Sequence, residues 1–233
     1  MHQIVLTRAA SVVNGGGFFT LMRCYFPDNT FSSSKERKQM KKGLKLTDIL
    51  VTVVIAVVFG IVYRVWGDVY NLASVPGIQL EQFVYGMWFM ASTAAFLIIR
   101  KPGVAFLAEV AAALAEMLLG SQFSVSSLTY GIAQGLCAEL VFAAFGYKRY
   151  TAAVAGMAGM ASGAGALVFD YFKSYLTELQ PWNLSLYIVL RFVGSFLITG
   201  PLAYALVKAL EKTGVTQLVR PASLDDYQAL DRK

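Results

Sequence analysis

Histidine is almost absent from this chain. Its 233 residues include one, His2, in a polar N-terminal stretch. That removes a Ser-His pair, an HExxH zinc site and histidine-ligated metal from any core chemistry. Cysteine is nearly as scarce. Cys24 and Cys137 lie far apart in different kinds of sequence, so there is neither a disulfide framework nor a CxxC metal motif. Charge is thin as well: 15% of residues are Asp, Glu, Lys or Arg, against about 25% in an ordinary soluble domain. There is no GxxxxGK[ST] phosphate loop and no long hydrophilic loop to hold a nucleotide-binding domain. Any energy for work must come from an ion gradient or from another chain.

What is abundant is apolar sequence, 57% of the chain. That composition reads as an integral membrane protein. Six apolar segments, at about 47–66, 81–99, 102–120, 127–146, 150–170 and 184–207, each have roughly the 20 residues that cross about 30 Å of hydrocarbon. None alternates strictly, so the expected fold is all-α, with six transmembrane helices and no β-barrel. The formal charge of +6 is no nucleic-acid signal, because the cations sit where membrane topology explains them. Lys41, Lys42 and Lys45 precede the first segment. Arg100–Lys101, Lys148–Arg149, and Lys208 with Lys212 mark the same side, whereas the opposite loops hold only Lys173. The bias places both termini in the cytoplasm of a multi-pass bacterial membrane protein. Residues 1–39 read as a disordered or non-native extension, 40–212 as the six-helix domain and 213–233 as a cytoplasmic tail.

Small residues recur at helical spacing in two segments: Thr52, Ala56 and Gly60 in the first, Ala155, Gly159 and Gly163 in the fifth. Such rows let backbones approach closely in lipid. For the fifth segment the expectation is packing within the chain. For the first, the partner is equally another subunit.

The segment FLAEVAAALAEMLLG (106–120) carries two carboxylates, Glu109 and Glu116, among thirteen apolar or glycine residues. Each charge at the bilayer centre costs about 2.5–3.5 kcal/mol or more, so intramembrane acids are functional candidates. Seven residues turn a helix by about 700°, which puts both on one face roughly 10.5 Å apart. Glu116 falls toward the outer end and Glu109 about two turns deeper. Glu81, Tyr85 and Trp88 on the second segment, Tyr130 and Gln134 on the fourth, Trp66 on the first and Arg191 on the sixth complete the candidate ligand set. Alternatives remain for several. Glu81 and Asp170 also read as solvated helix ends, Trp66 and Trp182 as interfacial anchors, Arg64 and Arg191 as counter-ions of the buried glutamates. Glu109 and Glu139 also suit a structural polar network. Carboxylates beside Trp and Tyr suit a cationic or aminated aromatic ligand.

Three stretches carry a resemblance: LTDILVTVVIAVVFGIVYRVWGDVY (46–70), FLAEVAAALAEMLLG (106–120) and SSLTYGIAQGLCAELVFAAFGYKRY (126–150). Over residues 40–233 the chain resembles the substrate-binding (S) components of energy-coupling factor (ECF) transporters, and within them the YkoE family. The resemblance implies an S-component fold, an outward-facing site for thiamine or its hydroxymethylpyrimidine precursor, and no catalytic or metal site. It implies no cofactor in this chain, since ATP is hydrolysed by partners: a transmembrane coupling protein and two ATP-binding-cassette ATPases. It also implies docking to those partners through small residues of the first helix, here Ala56 and Gly60. The contrasting reading is a self-sufficient proton-coupled carrier of a small cationic or aromatic compound, with Glu109 and Glu139 as proton sites. An intramembrane enzyme is a third class, weakened by the missing histidine and nucleophile–base motif.

Overall fold

The computed structural model describes residues 43–123 and 125–214, with 216 and 219. The extension at 1–39 and most of the tail at 213–233 lie outside the described residues. All regular structure among the described residues is helical. Helix α1 is Leu46–Ser74. The second membrane segment is α2 (Leu80–Val84), a 3₁₀ turn (Tyr85–Phe89) and α3 (Met90–Ile99). Then come α4 (Val104–Leu118), α5 (Val125–Ala144) and α6 (Ala152–Phe172). The last segment is α7 (Pro181–Leu197), a π-helical turn (Ile198–Leu202) holding Pro201, and α8 (Ala203–Lys212).

Five of these segments are long and apolar enough to cross a membrane. The exception is α4, whose 15 residues cover roughly 22 Å at 1.5 Å per residue. The expected span at 102–120 is shortened from both ends by Gly103 and Gly120, which take left-handed backbone angles (φ +85° and +78°) that glycine adopts without strain. In the other direction, α1 runs two turns past the expected end at Trp66. Gly67 does not break it, because the close packing of Gln122 fills the space a Cβ would take.

Helices α1, α4, α5, α6 and α7 pack in that order around the α2–α3 segment, which touches most of them. Every residue of α3 is buried. The chain alternates between two ends of the bundle. One end carries Lys45, Arg100, Lys101, Lys148, Arg149, Lys208 and Lys212; the other carries the connections at 75–79, 119–123 and 173–180. At the basic end, buried Asp48 pairs with Lys101 and accepts from the Lys45 backbone N–H, locking the α3–α4 hairpin to the start of α1.

The small-residue rows have clear partners. A Cβ on Gly60 would lie 2.4 Å from that of Ala115 on α4, and Ala56 is 1% exposed. Of the two partners open to the row on α1, the structure shows the internal one: Ala56 and Gly60, the residues expected to dock a partner subunit, pack in an intramolecular seam with α4. The outward face of α1 is instead large and apolar, with Leu50, Val53, Val54, Val57, Val58, Ile61 and Val65 exposed. On α6, Gly156 and Gly159 meet Phe196 and Thr199 of the last segment, so that row also packs within the chain.

The tightest crossing brings α2 and its 3₁₀ turn against α7. A Cβ on Gly194 would lie 1.9 Å from the Phe83 carbonyl oxygen, and one on Gly86 would lie 2.7 Å from the Ser195 Cα. Backbone cannot yield as a flexible side chain can. Gly194→Ala should therefore destabilise the bundle by about 1–3 kcal/mol or more, read as a lower thermal midpoint in detergent. Gly43→Ala, with nothing near its Cβ, should leave the midpoint in place.

Candidate ligand-binding site

At the seam where Gly86 meets Ser195 and Gly194 meets Phe83, α2 passes into a 3₁₀ turn, which has three residues per turn, so side chains at i and i+3 eclipse. Tyr85 and Trp88 are so placed, with ring centroids 5.4 Å apart. Tyr70 from the last turns of α1 and Phe123 from the α4–α5 loop close around Trp88, at 5.5 and 5.7 Å. The four rings form one wall of a cavity of about 290 Å³, at the lower end of the roughly 300–1,000 Å³ usual for small-molecule sites. Its other walls are Tyr63, Glu109 and Glu116, then Ser127, Tyr130 and Gln134, then Asp170, Tyr187 and Arg191. Gln122, Ser126, Lys173 and Tyr175 from the non-basic end also line it.

The buried acids separate by what they hold. Where the 3₁₀ turn gives way to α3, backbone N–H groups lose their helical acceptors, the ordinary condition of a helix start. Glu109 Oε2 accepts from the Ser92 N–H at 3.0 Å. Tyr63 accepts from the Ala91 N–H at 2.8 Å and donates its hydroxyl to Glu109. Glu109 thus lines the cavity floor and caps α3 from a neighbouring helix. Glu139 on α5 does the same for α4, accepting from Gly103 N–H at 2.6 Å and Phe106 N–H at 3.2 Å. A carboxylate at a helix start also meets the positive end of its dipole. Both acids proposed as proton sites are therefore engaged in capping. Glu139→Ala should lower stability by about 0.5–2 kcal/mol and leave ligand affinity unchanged in a calorimetric titration.

Asp170 is not the solvated helix end it resembles in sequence. It is buried and ion-paired at 2.9 Å to Arg191, which is 1% exposed. Tyr130 and Tyr187 donate to its two oxygens. The Arg191 guanidinium also donates to the Gln82 side-chain oxygen and to Tyr187, and lies 3.7 Å over the Tyr85 ring. Arg191 is a counter-ion, but of Asp170 and not of a glutamate. Arg64 pairs at the surface with Asp68.

Glu116 stands apart. Its Oε1 accepts from Trp88 Nε1 at 3.2 Å and from Ser121 Oγ at 2.9 Å. Those donors are neutral side chains, and no helix start or ion pair involves this carboxylate among the described residues. It is 1% exposed yet faces the cavity, beside the aromatic wall.

Of the residues expected from sequence, Glu116, Glu109, Tyr85, Trp88, Gln134, Tyr130 and Arg191 come together on the cavity. Two do not. Trp66 points away and donates its ring N–H to the Val84 carbonyl at 2.9 Å. Glu81 is buried outside the lining, accepting from Gln82 Nε2. The ligand set expected from sequence lacks Tyr63, Tyr70, Ser127, Tyr187 and Asp170, the last of which also reads as a solvated helix end. For Tyr70 the missed signal was the helical continuation of α1 beyond Gly67.

With this geometry in hand, comparison with known proteins is informative. Residues 47–165 match the family described as the permease component of an ABC-type cobalt transport system. The chain is similar to YkoE of Bacillus subtilis (strain 168), named for HMP/thiamine permease, with 37% identity over 175 residues, 75% of this chain and 88% of that protein. It is also similar to a solved S-component of an ECF transporter. That likeness has 34% identity and a TM-score of 0.73, and spans 82% of this chain and 95% of the other.

Proposed function

The chain belongs to the YkoE family of ECF transporter S-components, and from that premise we propose that its cavity captures thiamine or the hydroxymethylpyrimidine precursor for uptake. It is a multi-pass, substrate-specific membrane subunit and not an enzyme. In the proposed cycle the basic end faces the cytoplasm and the loops carrying Gln122 and Lys173 face outward. The ligand enters from that side. The loaded subunit then works with a transmembrane coupling protein and two ATPases on other chains, where ATP is hydrolysed.

The observation that carries the ligand reading is the state of Glu116. Asp170 is ion-paired to Arg191 and Glu109 caps the start of α3, which leaves Glu116 as the lining carboxylate with neither an ion pair nor a helix start among the described residues. A carboxylate in a low-dielectric wall favours a cation or a strong donor. An exocyclic amine on a pyrimidine is such a donor, and a thiazolium is such a cation. Trp88 and Tyr85 offer faces that attract a cation by up to about 2 kcal/mol when it is desolvated.

Calorimetric titration of the purified subunit tests the reading. Thiamine or hydroxymethylpyrimidine should bind with saturable heat, and riboflavin and biotin should not. Absence of binding by both pyrimidines would overturn it.

A further inference from the structure

The Glu116 reading leaves one polar group in the cavity wall without a task. Ser127, in the first turn of α5, is 8% exposed and lines the cavity, and its hydroxyl has no hydrogen-bond partner. Buried hydroxyls are nearly always bonded, and each exception calls for a reason.

The packing of α4 against α5 gives Ser127 its position. The two helices are antiparallel neighbours. Gly131 sits on Ala113, and Gly135 on Glu109. Continuing four residues along each helix brings Ser127 level with Met117, beside Glu116. Ser127 and the Glu116 carboxylate are within electrostatic reach of one another, and the hydroxyl oxygen, which has almost no accessible surface of its own, meets no partner at hydrogen-bond geometry. The hydrogen bonds Glu116 takes from Trp88 and Ser121 both fall on Oε1, which leaves Oε2 for a ligand. The Glu116 carboxylate and a hydroxyl that can rotate about its Cα–Cβ bond toward the cavity thus belong to one wall, next to the Trp88 ring.

We propose that Glu116 and Ser127 act as a pair that reads one edge of a planar ring, an amino group next to a ring nitrogen. The amine donates to Glu116 Oε2, and the Ser127 hydroxyl donates to the ring nitrogen. This rests on the aminopyrimidine reading above and assigns Ser127 as its specificity-determining residue. The pairing is directional. A ring with an oxo group at the amine position would set a carbonyl against the carboxylate, two acceptors facing one another, and would be rejected.

The test is calorimetric titration of the full-length wild-type subunit and of Ser127→Ala. Two ligands are compared: hydroxymethylpyrimidine, and its analogue in which the ring nitrogen beside the amine is replaced by C–H. Loss of one neutral hydrogen bond predicts that Ser127→Ala binds hydroxymethylpyrimidine about five- to tenfold more weakly. The same substitution should leave affinity for the C–H analogue unchanged, with the same melting midpoint as wild type. Equal losses for both ligands, or no loss for hydroxymethylpyrimidine, would overturn the pairing while the parent reading stands. If the wild-type chain binds neither hydroxymethylpyrimidine nor thiamine, the parent reading fails and this pairing with it.

Discussion

Replacing Glu116 by Gln is expected to weaken thiamine binding by one to two orders of magnitude, with little change in melting midpoint. A hydrogen bond to a charged group contributes about 1.5–3 kcal/mol, and each 1.4 kcal/mol is tenfold in affinity. Gln matches Glu in shape. Its amide oxygen can keep accepting from Trp88 and Ser121, so the wall stays assembled while the charge is lost. The same exchange at Glu109 acts differently, since that side chain accepts a backbone N–H at the start of α3 and loss of the charge there weakens a cap. Calorimetry and thermal unfolding on the same preparations separate the two. Unchanged thiamine affinity in well-folded Glu116→Gln protein would remove Glu116 from the site.

The helical character and the order of the apolar segments were legible in the sequence because hydrophobic length is a local signal. So was the pairing of Tyr85 with Trp88 on one side of their helix, since three residues bring side chains near one face in either kind of helix. Segment ends were harder. Gly67 and Asp68 looked like punctuation, but a helix ends only where nothing rewards its continuation, and packing on Gln122 carries α1 on to Ser74. That extra length delivers Tyr70 to the cavity.

The roles of the acids were not legible, for a different reason. Periodicity shows that Glu109, Glu116 and Glu139 face inward; it does not show what faces them. Glu109 and Glu139 are explained by backbone N–H groups on other helices, exposed by a 3₁₀ break and by a hairpin turn. Neither event has a signature in the sequence around the acid itself. The first-helix small-residue row is a similar case. Its spacing signals a close approach but not the partner, and within this chain that partner is Ala115.

Asp170 and Arg191 are the extreme case of such a long-range relation, and they set the largest stability effect expected. Arg191→Met should destabilise the bundle by about 3–5 kcal/mol, the usual consequence of removing one partner from a buried ion pair. Both side chains are nearly inaccessible, at 1% and 5% exposure. The substitution leaves Asp170 with only tyrosine hydroxyls, strips the Gln82 oxygen of its donors, and removes the cation from the Tyr85 face. The midpoint in detergent should fall by on the order of 10 °C. Asp170→Asn with Arg191→Met should recover part of that loss, because the second change removes the uncompensated charge. The coupling between the two, read from the double-mutant cycle, measures the pair itself. A single Arg191→Met variant that melts with wild type would show that the bundle does not depend on the pair. Thiamine affinity is the second readout: Tyr85 is held between Gln134 and Arg191, so losing the guanidinium should loosen the aromatic wall and weaken binding even where the protein remains folded.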